Sequence, residues 1–215
     1  SAPWTLVEAA DRRHMTLFSA RAVLDALRAR LAAPAPERPQ PVRSKPPRKN
    51  LLRSLDYTRS LDAKQYDERL ERAQGRIGAL TRRLRAKDRS LILVFEGADA
   101  AGKGGAIRRI TRAIDARLYR VISTAAPSDE ERAHPYLWRF WRELPRTGRV
   151  TVYDRSWYGR VLVERLEGFC APADWKRAYA EINDFEEQLS EAGTVVRKFW
   201  LAITPAEQLK RFKDR

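Results

Sequence analysis

The stretch SLILVFEGADAAGKGGAI, residues 90–107, constrains the fold of this chain more than any other. A run rich in Leu, Ile, Val and Phe reads as a buried strand. It breaks into a Gly/Ala loop carrying one Asp and one Lys, and a helix-like pattern follows. Gly97, Gly102 and Lys103 have the G-x-x-x-x-G-K spacing, in which backbone N–H groups wrap a phosphate and the lysine reaches its outer oxygens. The next position commonly supplies a Ser or Thr hydroxyl to Mg2+, but here it is Gly104. A metal therefore needs another protein ligand, and Asp99, inside the loop, is the candidate.

At 215 residues the chain has room for one medium α/β domain and an appendage, and an apolar content of 43% with six Trp argues for a real core. The net charge of +15 attracts polyanions: nucleic acid, an acidic membrane face or an inorganic phosphate chain. Composition does not choose among them. The single cysteine, Cys170, excludes an internal disulfide, and no metal-type Cys spacing is present. The longest apolar run, Leu91 to Phe95, is too short to cross a bilayer, so no membrane partner is expected. With no N-terminal signal pattern, the expected setting is cytoplasmic. The chain opens on Ser and stops within the charged pattern KRFKDR, so both ends read as cut.

Residues 1–33 read as a short strand or loop followed by a helix, with Leu17, Ala20, Val23, Leu24, Leu27 and Leu31 at helical spacing. Residues 34–63 begin with the Pro-rich, basic segment PAPERPQPVRSKPPRKN, an extended linker, and continue through LLRSLDYTRSLD, a helix turn or docking strap. From Lys64 to about Lys87, Tyr66, Leu70, Ala73, Ile77, Leu80 and Leu84 predict an amphipathic helix. Beyond the phosphate loop, Ile107, Ile110, Ala113 and Ile114 give the next helix a buried face, opposite Arg108, Arg109 and Arg112. Because that helix starts at the phosphate site, Arg108 and Arg112 become candidates for binding a longer phosphate chain.

A second strand is expected over 118–123. Tyr136, Leu137, Phe140, Trp141 and Leu144 then form an apolar stripe that reads as core rather than as a base-stacking surface. RVTVYDR, residues 149–155, predicts a third strand with Asp154 at its C-terminal tip. In open parallel sheets ligands bind at that edge. Asp154 then sits beside the loop if the two strands are neighbours, and can hold Mg2+ directly or through water. Arg155, Arg160 and Arg165 follow it, and a buried Asp–Arg ion pair is the structural alternative. Trp175, Tyr179, Ile182, Phe185 and Leu189 predict a helix over 173–192, stopped by Gly193. A fourth strand follows over 194–203. Thr204, Pro205 and Glu207 then read as N-cap, first-turn proline and capping acid of a last helix that carries Lys210, Arg211, Lys213 and Arg215.

Three blocks, FEGADAAGKGGAI, APSDEERAHPYLWRFWRELPRTGRVTVYDRSWYGRVLVERLEGF and KFWLAITPAEQLKRFKDR, together resemble the polyphosphate kinase 2 family over about residues 64–215. DRSWYGRVLVER is the most specific of these matches. The resemblance implies an α/β fold: a P-loop kinase-like parallel sheet flanked by helices, here with an N-terminal helical tail and a Pro-rich linker. It accounts for Gly104 as the family's own variant. It makes Asp99 and Asp154 the metal-associated acids, Lys103 the phosphate lysine, Arg155 and Arg160 the basic pair after the second acid, and Arg211 and Arg215 lid residues. The lid itself is truncated where the sequence stops. Residues 1–33 are similar to the closing stretch of the same module, as in a fragment across the junction of two tandem modules. Tandem members are typically polyphosphate:AMP phosphotransferases.

The implied activity is phosphoryl transfer between inorganic polyphosphate and a nucleotide, AMP or ADP, with Mg2+ as cofactor; polyphosphate plus AMP giving ADP comes first. Catalysis of this type is positioning and charge neutralisation and needs no His, Ser or Cys nucleophile. A polyphosphate-dependent nucleoside diphosphate kinase is the alternative. An ATP-dependent P-loop nucleotide kinase is less well matched, because Gly104 replaces the usual hydroxyl. A nucleic-acid-binding module lacks any recognition-helix or RNP-type signature. The sequence leaves a homo-oligomer open.

Overall fold

Runs of Val, Ile, Leu and Phe too short for a buried helix alternate along this chain with longer amphipathic stretches, a pattern that calls for a parallel sheet with helical crossovers. The computed structural model describes residues 5–32 and 51–214; most of the expected linker, and Arg215, lie outside the described residues. The chain divides into two units, residues 1–39 and 40–215. In the first, residues 5–9 have no regular structure and lead into α1 (Arg12–Ala32), the expected helix. Asp11 accepts from His14 N at 2.6 Å near its start. Leu17, Val23, Leu24, Leu27 and Leu31 stay exposed.

In the second unit a 3-10 turn (Leu51–Ser54) precedes α2 (Ala63–Arg83), whose N-cap Asp62 accepts from Gln65 N. A 3-10 turn at Arg85–Lys87 then delivers the chain to β1 (Ser90–Gly97). There follow α3 (Lys103–Thr111), β2 (Tyr119–Ser123), the one-turn α4 (Asp129–Arg132) and α5 (Trp138–Trp141), and β3 (Val150–Asp154). A 3-10 turn (Trp157–Val161), α6 (Val163–Leu166), α7 (Pro172–Glu191), β4 (Thr194–Leu201) and α8 (Pro205–Lys213) complete it. Among the described residues these four strands form a parallel sheet in the order β2-β3-β1-β4.

β1 is covered on both faces, and for that reason it is nearly all apolar. Ile92 and Val94 point with Tyr153 into a core made with α7, through Ala178, Ile182, Phe185 and Leu189. Leu93 and Phe95 point the other way, with Val150 and Val152, onto Ile107 and Ile114, Ile77 of α2 and Leu84 just past its end. Each fully buried Val, Leu, Ile or Phe is worth about 1.5–3 kcal/mol, so these two clusters anchor the strand tips that carry the site. Two expectations need correcting. The buried stripe of α7 runs 178–182–185–189, and Tyr179, one position out of phase, is exposed. Of the stripe at 136–144, Phe140 is buried and Tyr136, Leu137 and Leu144 pack against the same core, but Trp141 is 44% exposed. Among the described residues, no helix is long and apolar enough to cross a membrane.

Candidate functional site

The site begins where β1 runs out. At Gly97 the backbone takes φ 140°, and a Cβ there would lie 2.3 Å from Leu201 O, so only glycine lets the end of β4 come this close. The loop turns again at Ala100 (φ 61°) and Gly102 (φ 97°) before α3 starts at Lys103. That path presents the unsatisfied first-turn N–H groups of α3 to the loop's hollow, as a phosphate needs. Lys103 Nζ folds back onto Gly97 O (2.8 Å) and Ala98 O (3.1 Å). From the far side α8 holds the loop: Gln208 Nε2 donates to Asp99 O at 2.9 Å and Arg211 Nη1 to Ala100 O at 3.1 Å, with Arg211 Nε on Glu207 at 2.7 Å. Arg211, expected on phosphate, is thus placed on the loop backbone.

β3 runs beside β1, with Asp154 in register with Phe95, so the acid expected at the strand tip stands next to the loop. Arg155 follows in a left-handed conformation (φ 64°). Its N donates to Phe95 O at 3.0 Å, and its carbonyl accepts from Thr124 Oγ1 at 2.9 Å. Its guanidinium reaches Asp99 at 2.9 Å. The Asp–Arg ion pair beside this strand tip therefore involves Asp99 rather than Asp154. Both partners are about half exposed, and such pairs contribute about 0–1 kcal/mol, little enough for a phosphate to displace. The Asp154 carboxylate makes no hydrogen bond or ion pair among the described residues.

Arg160 takes a different direction. It leaves the 3-10 turn after β3 with its guanidinium 4.3 Å over the Tyr136 ring, and its Nε lies 2.8 Å from Glu164, an ion pair rather than an aligned hydrogen bond. These residues line a cleft of about 1160 Å³ whose walls include Thr124, Trp138, Phe169 and Arg155. Tyr136 packs against the core, as its spacing predicts, and is also a wall of this cleft. Its hydroxyl has no partner among the described residues, and burial holds its pKa well above the usual phenol value. Arg155 thus borders both the loop, through Asp99, and the cleft.

Arg108 and Arg112 lie exposed on and just past α3. At 1.5 Å per residue they stand roughly 7.5 Å and roughly 13 Å along the axis from Lys103, so the structure does not gather Arg112 with the loop. Arg109 between them is structural: its Nε bonds Tyr66 OH of α2 at 2.5 Å. Gly104 sits in the first turn of α3 with nothing within 4 Å of where a Cβ would be.

Two acids were not singled out in the sequence. Glu96, the last side chain of β1 before Gly97, accepts from Ser156 Oγ at 2.8 Å. Burial pushes its pKa up, against the Ser156 hydrogen bonds and the nearby Lys103 and Arg155. A carboxylate closing an otherwise apolar strand was the available signal. Glu186 of α7 accepts from Trp157 Nε1 (3.1 Å), Tyr158 OH (2.8 Å) and Lys198, a convergence with no local signature. Among the described residues no three His, Cys, Asp or Glu cluster as a metal cage. A metal at the strand tips would draw on Asp154 and Asp99 and take its remaining ligands from phosphate and water.

Residues 60–215 match the family described as polyphosphate kinase 2 (PPK2). The chain is similar to a polyphosphate:AMP phosphotransferase of Pseudomonas aeruginosa, 55% identical over 218 residues, covering 100% of this chain and 44% of that protein. Another protein of that name, from Acinetobacter johnsonii, is 42% identical and is covered to 43%. The crystal structure of a protein assigned as polyphosphate kinase 2 from Pseudomonas aeruginosa superposes with a TM-score of 0.81 at 55% identity, covering 99% of this chain and 44% of that one. The chain spans less than half the length of these relatives.

Proposed function

The chain belongs to the polyphosphate kinase 2 family, and on that premise we propose that it moves the terminal phosphoryl group of inorganic polyphosphate to AMP, giving ADP. AMP as acceptor rests on the names of its relatives, polyphosphate:AMP phosphotransferases. The observation that carries the reading is the position of Arg155 between a phosphate loop and a cleft of about 1160 Å³ with aromatic walls. A phosphate chain ending in the loop and a nucleotide in the cleft would meet across one guanidinium.

In this reading the loop amides and Lys103 grip the donor phosphate, and Lys103 exchanges its contacts with Gly97 O and Ala98 O for phosphate oxygens. Arg155 leaves Asp99 for the transferring group, and Arg160, above Tyr136, faces the acceptor. An AMP phosphate oxygen attacks the terminal phosphorus in line. The P–O–P bond to the chain breaks, and the polyphosphate leaves one unit shorter. Asp154 and the released Asp99 suit Mg2+, which accepts one or two carboxylates and fills its shell with phosphate oxygens and water. Bound there, Mg2+ would offset charge on the phosphates. Arg108, Arg112, Arg211 and Arg215 are assigned to the outer phosphates and the lid. Residues 1–33 are read as the end of one module, 34–63 as the linker and 64–215 as the start of the next, in a cytoplasmic enzyme.

The test is a donor and acceptor assay on the full-length protein and on the 215-residue chain. ADP formed from AMP with polyphosphate and Mg2+, and not with ATP as donor, is the expected result. Turnover with ATP and none with polyphosphate would sink the reading.

A further inference from the structure

Arg155 holds a backbone conformation that disfavours any residue with a Cβ, at φ 64°, so something must impose it. Upstream, the β3 ladder fixes Asp154 and Phe95 O accepts from Arg155 N. Downstream, Ser156 is 2% exposed, and its hydroxyl is held twice: it donates to Glu96 Oε1 at 2.8 Å and accepts from Tyr158 N at 3.3 Å. With both neighbours pinned, the left-handed turn falls on Arg155, and its guanidinium is turned toward the loop at Asp99.

Glu96 is a costly way to end a strand. This half-buried carboxylate forms no ion pair among the described residues, and an apolar residue in its place would continue the run from Leu91 to Phe95 without a desolvation penalty. Among the described residues, its hydrogen-bond partner is Ser156, the residue that follows Arg155. We propose that Glu96 is a positioning residue for the phosphoryl transfer, acting through Ser156 to hold Arg155 over the phosphate loop. The inference rests on the function proposed above. It joins the residue just before the loop to the DRSWYGR turn across the sheet, so the two halves of the site keep one spacing.

The test compares Glu96→Leu, Glu96→Gln, Ser156→Ala and the double variant Glu96→Leu/Ser156→Ala in the full-length protein, with kcat and KM for AMP and polyphosphate. A 1 Å displacement of a positioning group can cost about 100-fold in rate. Glu96→Leu should lower kcat about 10- to 100-fold with both KM values within threefold, and Ser156→Ala, which removes the hydroxyl but keeps the Ser156 backbone N–H beside Glu96, should lower it by less. The double variant should be no slower than the worse single one, because both changes cut the same link. Glu96→Gln keeps an acceptor oxygen for Ser156 and should retain kcat within about threefold. Additive losses, or a Glu96→Leu variant with wild-type kcat, would overturn the proposal. Should the wild-type protein itself make no ADP, the functional reading fails, and the crystal structure of Glu96→Leu still decides the positioning: Arg155 leaving its left-handed conformation and Asp99 supports it, and an unchanged Arg155 refutes it.

Discussion

The phosphate loop and the cleft beside it are built in opposite ways. The loop is a backbone object: its shape comes from positive φ at Gly97, Ala100 and Gly102, and from the approach of Leu201 O to a residue with no side chain. The cleft is a side-chain object, assembled by residues 124–141, 155–169 and 174–181 from separate elements. A single added methyl group should therefore destroy the first, while the second should tolerate truncation with a graded loss. Arg155, which belongs to both, is where the two kinds of construction must agree.

Gly97→Ala probes the backbone side hardest. The new Cβ would meet Leu201 O at 2.3 Å in a conformation alanine avoids, so β4 or the loop must move. Turnover should vanish, and stability should fall by about 2–4 kcal/mol, read from ADP production and a denaturant titration. Retained activity would mean that the loop, too, is adaptable. Asp154→Asn comes next: Mg2+-dependent turnover should fall by about 1000-fold or more, with stability within about 0.5 kcal/mol, since the carboxylate has no partner to lose among the described residues. Near-normal turnover would remove Asp154 from the metal site.

On the cleft side, Arg160→Ala removes a guanidinium 4.3 Å above Tyr136 and leaves Glu164 without its partner. A charged hydrogen bond from this guanidinium to the AMP phosphate is worth about 1.5–3 kcal/mol, so KM for AMP should rise by roughly 10- to 150-fold, with a smaller change in the KM for polyphosphate. Equal changes in both KM values would break the division between a loop for the donor and a cleft for the acceptor.

The same contrast explains what the sequence disclosed. Strand, loop and helix over 90–111 were legible because Gly97, Gly102 and Lys103 mark a local backbone path, and Asp154 was legible because a strand's last residue is local too. The Thr204 cap was also readable, and its hydroxyl accepts from Glu207 N at 3.2 Å. The partner of Arg155 was not: its choice of Asp99 depends on the β1–β3 register and on a left-handed turn that no residue type announces. Tyr136 does pack against the core, but helical spacing gives no sign that it also walls a cleft. Glu96 and Ser156 lie 60 residues apart, beyond any periodicity.

Gly104→Ser is the mildest change and the sharpest question about the loop. A common phosphate loop has a hydroxyl at this position for Mg2+, and its absence here could reflect lack of room or lack of need. Nothing lies within 4 Å of a Cβ built at Gly104, so room is not the reason. Serine should also favour the first turn of α3 by a few tenths of a kcal/mol, because glycine is the poorer helix former. If Asp99 and Asp154 already serve the metal, the added hydroxyl is redundant, and kcat with polyphosphate and AMP should stay within about threefold of wild type. A tenfold or greater rise in kcat, or newly acquired turnover with ATP, would show instead that the hydroxyl was missing from the metal's shell, and that the loop's specificity depends on this side chain as well as on its backbone.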